Sequence, residues 1–480
     1  MSDRRRSTAV RTGGAALLAL TFAGCAVNPA TGNRELSLVS EGQEIQMGRE
    51  ADPQIVAQMG LYPDSSVQRY VREIGLRLAA ESERPDLPWT FRVLDDPTVN
   101  AFALPGGFIY ITRGILTHLT SEAELAGVLG HEIGHVTARH SASQMSRAQL
   151  AQLGLGVGMI FSETVRDYGG LASQSLGLLF LKFGRDDESQ ADELGIRYMT
   201  REGYDPRELA GVMRMLSRTS ELASGGGRVP EWLSTHPDPA NRSESILAQV
   251  TAGDYASATT VEREGFLRRI DRMPFGPNPR EGFTEDGVFH HPELAFRLDT
   301  RGWGVDNQKS AVQFVAPDGG AVVILTIGSG SPEAALQEFG GMQGVSVGQG
   351  RRTEINGSPA VRAPFQAESQ DGVLAGEVVF LSYGGNTYRL LGLSSSAGWG
   401  AAAPTARAIQ ESFRRETDPA VLSAQPDRLD VVSTSGRLTF DDFRSRYPST
   451  VDPVIVALIN QLESGSVLDR GLWKRVVEGN

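Results

Sequence analysis

The stretch that decides this chain is His131-Glu132-Ile133-Gly134-His135, running on through Val136-Thr137-Ala138-Arg139 to His140. Two histidines four residues apart on an α-helix lie ~40° apart around its axis, so both imidazoles face one point. Neutral imidazole is a good zinc ligand. Glu132 lies one step round the same side, where a carboxylate takes a proton from a metal-activated water. The helix is supported independently. Ser121 stands where its hydroxyl caps the first turn and Glu124 reaches back, a capping box. Leu125, Val128, Leu129 and Val136 then give the helix a buried face. His131 and His135 are therefore candidate metal ligands, and Glu132 is the candidate general base.

Zinc needs a third protein ligand. His140 sits ~180° round from His131 if the helix continues, so it is read as a supporting or packing residue. Glu188 is the better candidate. It opens Glu188-Ser189-Gln190-Ala191-Asp192, a glutamate and an aspartate at i and i+4 on a predicted helix. One carboxylate can bind metal while the other holds a ligand imidazole by its free N–H. By itself such a pair is usually a solvated helix face, and the upstream histidines tip the reading toward a metal. Between the first helices and this site, Phe91–Leu94, Ala101–Leu104 and Phe108–Thr112 read as strands. Pro105-Gly106-Gly107 joins the last two into a hairpin.

Three segments in order, HEIGHVTARH (131–140), ESQADELGIRYMTREGYDP (188–206) and THPDPANR (235–242), resemble the BepA/LoiP/HtpX-like family of zinc endopeptidases. SEGQEIQMGRE (40–50) and VNAFALPGGFIYITRGIL (99–116) resemble it too, so the likeness covers roughly residues 26–250. The resemblance implies a mainly α gluzincin-type metalloprotease domain with a small β-hairpin or sheet and one Zn2+. It implies His131, His135 and Glu188 as ligands, Glu132 as general base and Asp192 as partner of a ligand histidine. It also places His236 near the metal, either stabilising an oxyanion or occupying the open metal position. Arg242 then pairs with a carboxylate or with the oxyanion. Asn100, Ala101, Phe102 and Ala103 fall on the family's substrate-binding edge, where an extended polypeptide adds as a strand.

Composition bounds the rest. The 480 residues are 40% apolar and 22% charged, which is ordinary for globular proteins. The formal net charge is −12 and there are three lysines, Lys182, Lys309 and Lys474. An acidic chain without a basic block argues against a nucleic-acid binder. Residues 1–24 read as a signal peptide: Arg4, Arg5, Arg6 and Arg11, then an apolar run too short to span a bilayer. The single cysteine, Cys25, follows Phe22-Ala23-Gly24 and resembles a bacterial lipobox, which implies lipidation at Cys25. Ala26 after it favours the outer membrane of a Gram-negative bacterium, facing the periplasm.

The expected organisation is multidomain. A lipidated polar tether (25–40) precedes the metalloprotease domain (41–270), whose apolar 150–183 stretch reads as two buried helices and a loop. A Pro/Gly linker (271–287) leads to an α+β domain (288–416) that loosely resembles PsbP- or DcrB-like domains. A second linker (417–430) precedes a LysM-like α/β unit (431–480), which implies possible peptidoglycan glycan binding. The functional expectation is a zinc endopeptidase of the cell envelope engaged in protein quality control. The alternative is an assembly factor attached to peptidoglycan with a latent metal site.

Overall fold

The computed structural model describes residues 25–152, 182–224, 232–237, 239–253, 255–369, 372–463 and 465–479. Residues 1–24, expected as a signal peptide, and nearly all of the apolar 150–183 stretch lie outside the described residues. Among the described residues no helix is long and apolar enough to cross a membrane.

The chain divides into two units. The first comprises the residues up to Val56, Leu61–Met273 and Leu429–Val477; the second comprises Ala57–Gly60, Pro274–Arg428 and Glu478–Asn480. The division at Met273/Pro274 falls inside the proline-rich stretch that the sequence marks as a linker.

In the first unit, a helix at Glu41–Met59 is followed by one at Ser65–Ala80, capped by Asp64 accepting from the Ser66 and Val67 amides. Three strands form a small sheet. Thr90–Leu94 runs parallel to the central Phe108–Thr112, and Ala101–Leu104 pairs antiparallel with that centre from the other side. Ala101–Leu104 is thus an edge strand. Its turn needs glycine: Gly106 and Gly107 have φ of 83° and 96°, and a Cβ on Gly106 would meet the Ile45 Cα at 2.5 Å. The histidine helix spans Glu122–Thr137 with Ser121 as its cap. The capping box is only half made. Ser121 Oγ accepts from Glu124 N at 3.1 Å, but the Glu124 carboxylate reaches past Ser121 to Thr120 N at 2.5 Å.

The helix stops at Thr137 and a new one begins at His140 (His140–Gln152). Between them Arg139 adopts φ of 61°. The N-terminal segment holds this break. Asn28 Nδ2 donates to Ala138 O at 3.1 Å and Arg139 Nη2 donates to Val39 O at 2.7 Å. The Glu44 carboxylate joins Arg139 at 2.8 Å to the buried Arg84 at 2.6 Å. The stretch expected as a polar tether is folded where it is described: Cys25–Val27 pairs antiparallel with Arg34–Leu36, and Asn28 between them is buried.

The carboxylate helix, Arg185–Arg201, crosses the histidine helix at very close range. A Cβ on Gly130 would lie 3.2 Å from the Gly195 Cα, and one on Gly134 would lie 3.0 Å from Ala191 O. Glycine at both positions lets the two backbones approach, and this contact sets the spacing of the site.

In the second unit, the largest sheet holds Ala311–Val315, Ala321–Gly328, Gly372–Tyr383 and Asn386–Ser395, with helices at Pro332–Gly340 and Trp399–Glu411. These elements match the α+β pattern read from the sequence. The long strand Ser358–Ser369 pairs with Gly372–Tyr383; it carries Pro359 and Pro364, which mask a strand pattern in the sequence. A core of Phe289, Phe296, Phe314, Tyr388, Leu390 and Phe413 fills one side.

The C-terminal residues form the strand Arg428–Thr434, the short strand Leu438–Thr439, the helices Phe440–Arg446 and Pro453–Ile459, the short strand Val467–Leu468 and the strand Gly471–Val477. Yet Leu429–Val477 belongs to the first unit rather than standing as a separate module. The reason is polar anchoring. Lys474 is fully buried, and its Nζ donates to Thr117 O at 3.0 Å and Leu119 O at 2.6 Å, just before the cap of the histidine helix. Arg218 Nη1 donates to Leu462 O at 2.8 Å, and the Arg263 guanidinium lies 4.9 Å from the Trp473 ring centre. Burial pushes the Lys474 amine well below its ordinary range, and it lifts the Glu124 carboxyl to about 7. Lys474→Met leaves two carbonyls without their partner, so a urea titration is expected to show a loss of about 2–4 kcal/mol. An unchanged midpoint would mean that the anchor is idle.

Candidate metal centre

Four elements converge on one buried point. The histidine helix brings His131, Glu132 and His135; the carboxylate helix brings Glu188 and Asp192. The short Trp232–Thr235 turn delivers His236, and Pro239–Ala252 delivers Arg242. All seven side chains are buried. His131, His135, Glu188 and His236 each offer a ligand atom, and these atoms lie within 4.8 Å of one another.

The distances define the cluster. His131 Nε2 lies 3.0 Å from His135 Nε2, 3.5 Å from Glu188 Oε2 and 3.4 Å from His236 Nδ1. His135 Nε2 is 3.6 Å from Glu188 Oε1, which is 2.9 Å from His236 Nδ1. Behind the ligand atoms, His131 Nδ1 is 3.0 Å from Asp192 Oδ1. A carboxylate only accepts, so Nδ1 carries the proton and Nε2 presents its lone pair to the cluster. Arg242 backs both carboxylates: its Nε and Nη2 reach Asp192 at 2.8 and 2.6 Å, and its Nη1 pairs with Glu188.

Electrostatics follow from this packing. Burial alone would raise the Asp192 carboxyl, but Arg242 and His131 outweigh it and hold it down to about 2. Glu188 is also buried, and His236 and Arg242 lower its pKa overall. Glu132 goes the other way: burial raises it, and the nearby His236 and His131 offset that only partly. Burial, with His131, His140, His236 and Arg242 around it, holds His135 well below the usual imidazole range, in the neutral form a metal ligand needs.

The donor set fits a divalent metal. Two imidazoles and a carboxylate suit zinc. Both Glu132 oxygens are buried without a hydrogen-bond partner, an expensive arrangement unless a cation or a polarised water completes it.

Sequence reasoning missed the walls. Phe183 stacks on His135 at 4.0 Å between ring centres, and Trp232 stacks on His236 at 4.6 Å. Arg242 lies over the other partner of that stack, 5.1 Å from the Trp232 ring centre. No local pattern marks these aromatics as neighbours of the site. Asn100, Ala101, Phe102 and Ala103 are not in the cluster. They lie on and beside the edge strand, against which the histidine helix packs, and Asn100 Oδ1 is buried without a partner. His118 and His290 serve elsewhere. His118 Nδ1 is 2.8 Å from Gly114 O, and His290 Nδ1 is 2.6 Å from Glu416.

Two crossed helices that aim two histidines and a glutamate at one point, with a second buried glutamate beside them that makes no hydrogen bond, have the arrangement of a metallopeptidase domain. Residues 65–250 match the model of Peptidase family M48. Over 223 residues the chain is 30% identical to the β-barrel assembly-enhancing protease of Escherichia coli (strain K12), 45% of each chain. The Yersinia pestis protein of the same name is 33% identical over 222 residues, again 45% of each. The mitochondrial metalloendopeptidase OMA1 of Arabidopsis thaliana is 34% identical over 212 residues, 42% of this chain and 41% of that one. The chain thus spans less than half the length of these relatives. A solution structure of cyanobacterial PsbP from Synechocystis matches 27% of this chain and 91% of its own at 9% identity and a TM-score of 0.21, too low to assign a fold.

Proposed function

We propose that this protein is a zinc-dependent endopeptidase of the bacterial cell envelope that cleaves polypeptides held in extended form. The observation that carries the reading is Glu132: a buried carboxylate with no hydrogen-bond partner on either oxygen, its Oε1 3.7 Å from His236 Nε2, next to three convergent ligand atoms. His131, His135 and Glu188 would hold the zinc, which when bound would supply Lewis-acid polarisation of the scissile carbonyl and acidify the attacking water. Glu132 accepts the water's proton at a carboxylate oxygen and passes it to the amine nitrogen that leaves. Asp192 keeps the His131 proton on Nδ1, and Arg242 keeps Asp192 and Glu188 ionised and in place. The Ala101–Leu104 edge strand, with Asn100 before it, lends its free main-chain groups to the substrate.

Envelope quality control is the setting we propose. The relatives' names, with their reference to β-barrel assembly, support it, as does the signal-like pattern of residues 1–24 before Cys25. On this reading Cys25 carries the lipid anchor, on the periplasmic side of the outer membrane. The C-terminal residues act chiefly as a brace, since Trp473 and Lys474 are engaged within the first unit.

A second feature belongs to this reading. His236 Nδ1 lies among the ligand atoms, 2.9 Å from Glu188, so the resting site is closed by His236 and opens when substrate displaces it. The test uses the purified full chain. About one zinc per chain is expected by elemental analysis, with casein cleavage that a chelator stops and zinc restores. Weak cleavage in the parent and stronger cleavage in His236→Ala would support the closed resting state. Zinc-free protein, or cleavage indifferent to chelation, would overturn the proposal.

A further inference from the structure

His140 lies on the far side of the helix break from the ligand histidines, yet it is buried against one of them. Its Nδ1 is 2.9 Å from His135 Nδ1, and its Nε2 is 2.8 Å from Gln190 Oε1. We infer that His140, oriented by Gln190, is a positioning residue that fixes the tautomer of His135 through a relay of hydrogen bonds and so keeps His135 Nε2 bare toward the metal centre.

The direction of the relay follows from its outer end. The Gln190 carbonyl oxygen only accepts, so His140 Nε2 carries a proton and donates. A second acceptor agrees: Asp187 Oδ1 stands 3.8 Å from the same nitrogen. Neutral His140 then has a lone pair on Nδ1. His135 must therefore donate from its Nδ1, which leaves its Nε2 unprotonated, 3.0 Å from His131 Nε2 and 3.6 Å from Glu188 Oε1. Run in reverse, the relay would put a proton on His135 Nε2, pointing into the ligand cluster, where no metal could bind to that nitrogen.

The two ligand histidines are thus set by different devices. His131 has a carboxylate behind it, Asp192 at 3.0 Å. His135 has a neutral imidazole, itself set by an amide. Both supports come from the carboxylate helix, Asp192 directly and Gln190 through His140, so this one helix orients both rings. Placing His140 requires the chain to leave the histidine helix at Arg139 and turn back. The contacts of Asn28, Val39 and Glu44 hold that turn. The N-terminal segment therefore helps to orient a ligand that it does not touch.

The inference rests on the proposed metal reading, and two readouts keep the two apart. The first is the tautomer in the metal-free full chain, read from ring-nitrogen shifts of 15N-histidine-labelled protein. The expected result is a proton on His135 Nδ1 in the parent and a mixture of tautomers in His140→Phe. A pure Nδ1–H state in both would overturn the inference. The second is zinc affinity by competition with a fluorescent chelator. His140→Phe is expected to weaken binding about 10–100-fold. Gln190→Leu should weaken it less, and His140→Gln should recover most of the loss, because its amide both accepts and donates. A folding defect would lower all three variants together, with no recovery in His140→Gln. Equal affinity in parent and His140→Phe would overturn the inference and leave the metal reading standing. Absence of zinc binding in the parent would remove the metal reading itself, with the tautomer result still decisive for the relay.

Discussion

Glu132→Gln is expected to lower casein cleavage by about 10²–10⁴-fold while the protein keeps its zinc. The substitution preserves shape and removes only the ability to take a proton. It leaves His131, His135 and Glu188 untouched, so metal content by elemental analysis should stay near the parent value. The fold should not suffer either. Glu132 is a buried carboxylate that burial already drives toward its neutral form, and neither of its oxygens has a hydrogen-bond partner. A neutral amide removes a desolvation cost, so thermal unfolding should occur at the same temperature or slightly higher. Full cleavage by a clean preparation of the variant would end the general-base assignment. Lost cleavage together with lost zinc would mean that Glu132 acts in assembling the site rather than in proton transfer.

The second large effect concerns Arg242. Its guanidinium is buried and pairs with both Glu188 and Asp192. Arg242→Met leaves two buried carboxylates facing an uncharged thioether. Removing one member of a buried ion network costs about 3–5 kcal/mol, and urea unfolding of the chelated protein should show a loss of that size. The pH dependence gives a second check. The folded Asp192 carboxyl is held at about 2, below the ordinary 3.8. A depressed carboxyl contributes stability that is complete above the unfolded value and lost as pH falls through the folded one. In the parent, roughly 2 kcal/mol should therefore disappear between about pH 4 and pH 2. In the variant that acid limb should flatten. An equal acid limb in both proteins would show that Asp192 is held down by something other than Arg242. Metal restores part of the lost stability in the variant, because a cation at Glu188 replaces one of the two missing partners.

The convergence of the candidate ligands was legible because their signals are local. Two histidines at i and i+4, a capped and amphipathic helix, and a Glu–Asp pair on a second helix all follow from helical periodicity acting within single elements. The hairpin was legible for the same reason, since Pro105-Gly106-Gly107 names its own turn. The reading of His140 shows where that logic stops. On a continuous helix it points away from His131, and no glycine or proline announces an end after Thr137. At the break, Asn28 takes up Ala138 O while Val39 and Glu44 hold the Arg139 side chain, all from far upstream.

Residue types and short spacings thus determined by themselves which side chains are fit to bind a metal and move a proton, because that chemistry resides in imidazole and carboxylate groups set by one helix. The tertiary structure decided what depends on separate segments meeting. It set the glycine contact between Gly130 and Gly195 that brings Glu188 up to the histidines, and the aromatic walls from Phe183 and Trp232. It placed Ala101–Leu104 at a sheet edge and buried Lys474 under the cap of the histidine helix. Such contacts join residues far apart in the chain, so no window of sequence contains both partners, and burial with hydrogen-bond satisfaction selects them only when the whole unit packs.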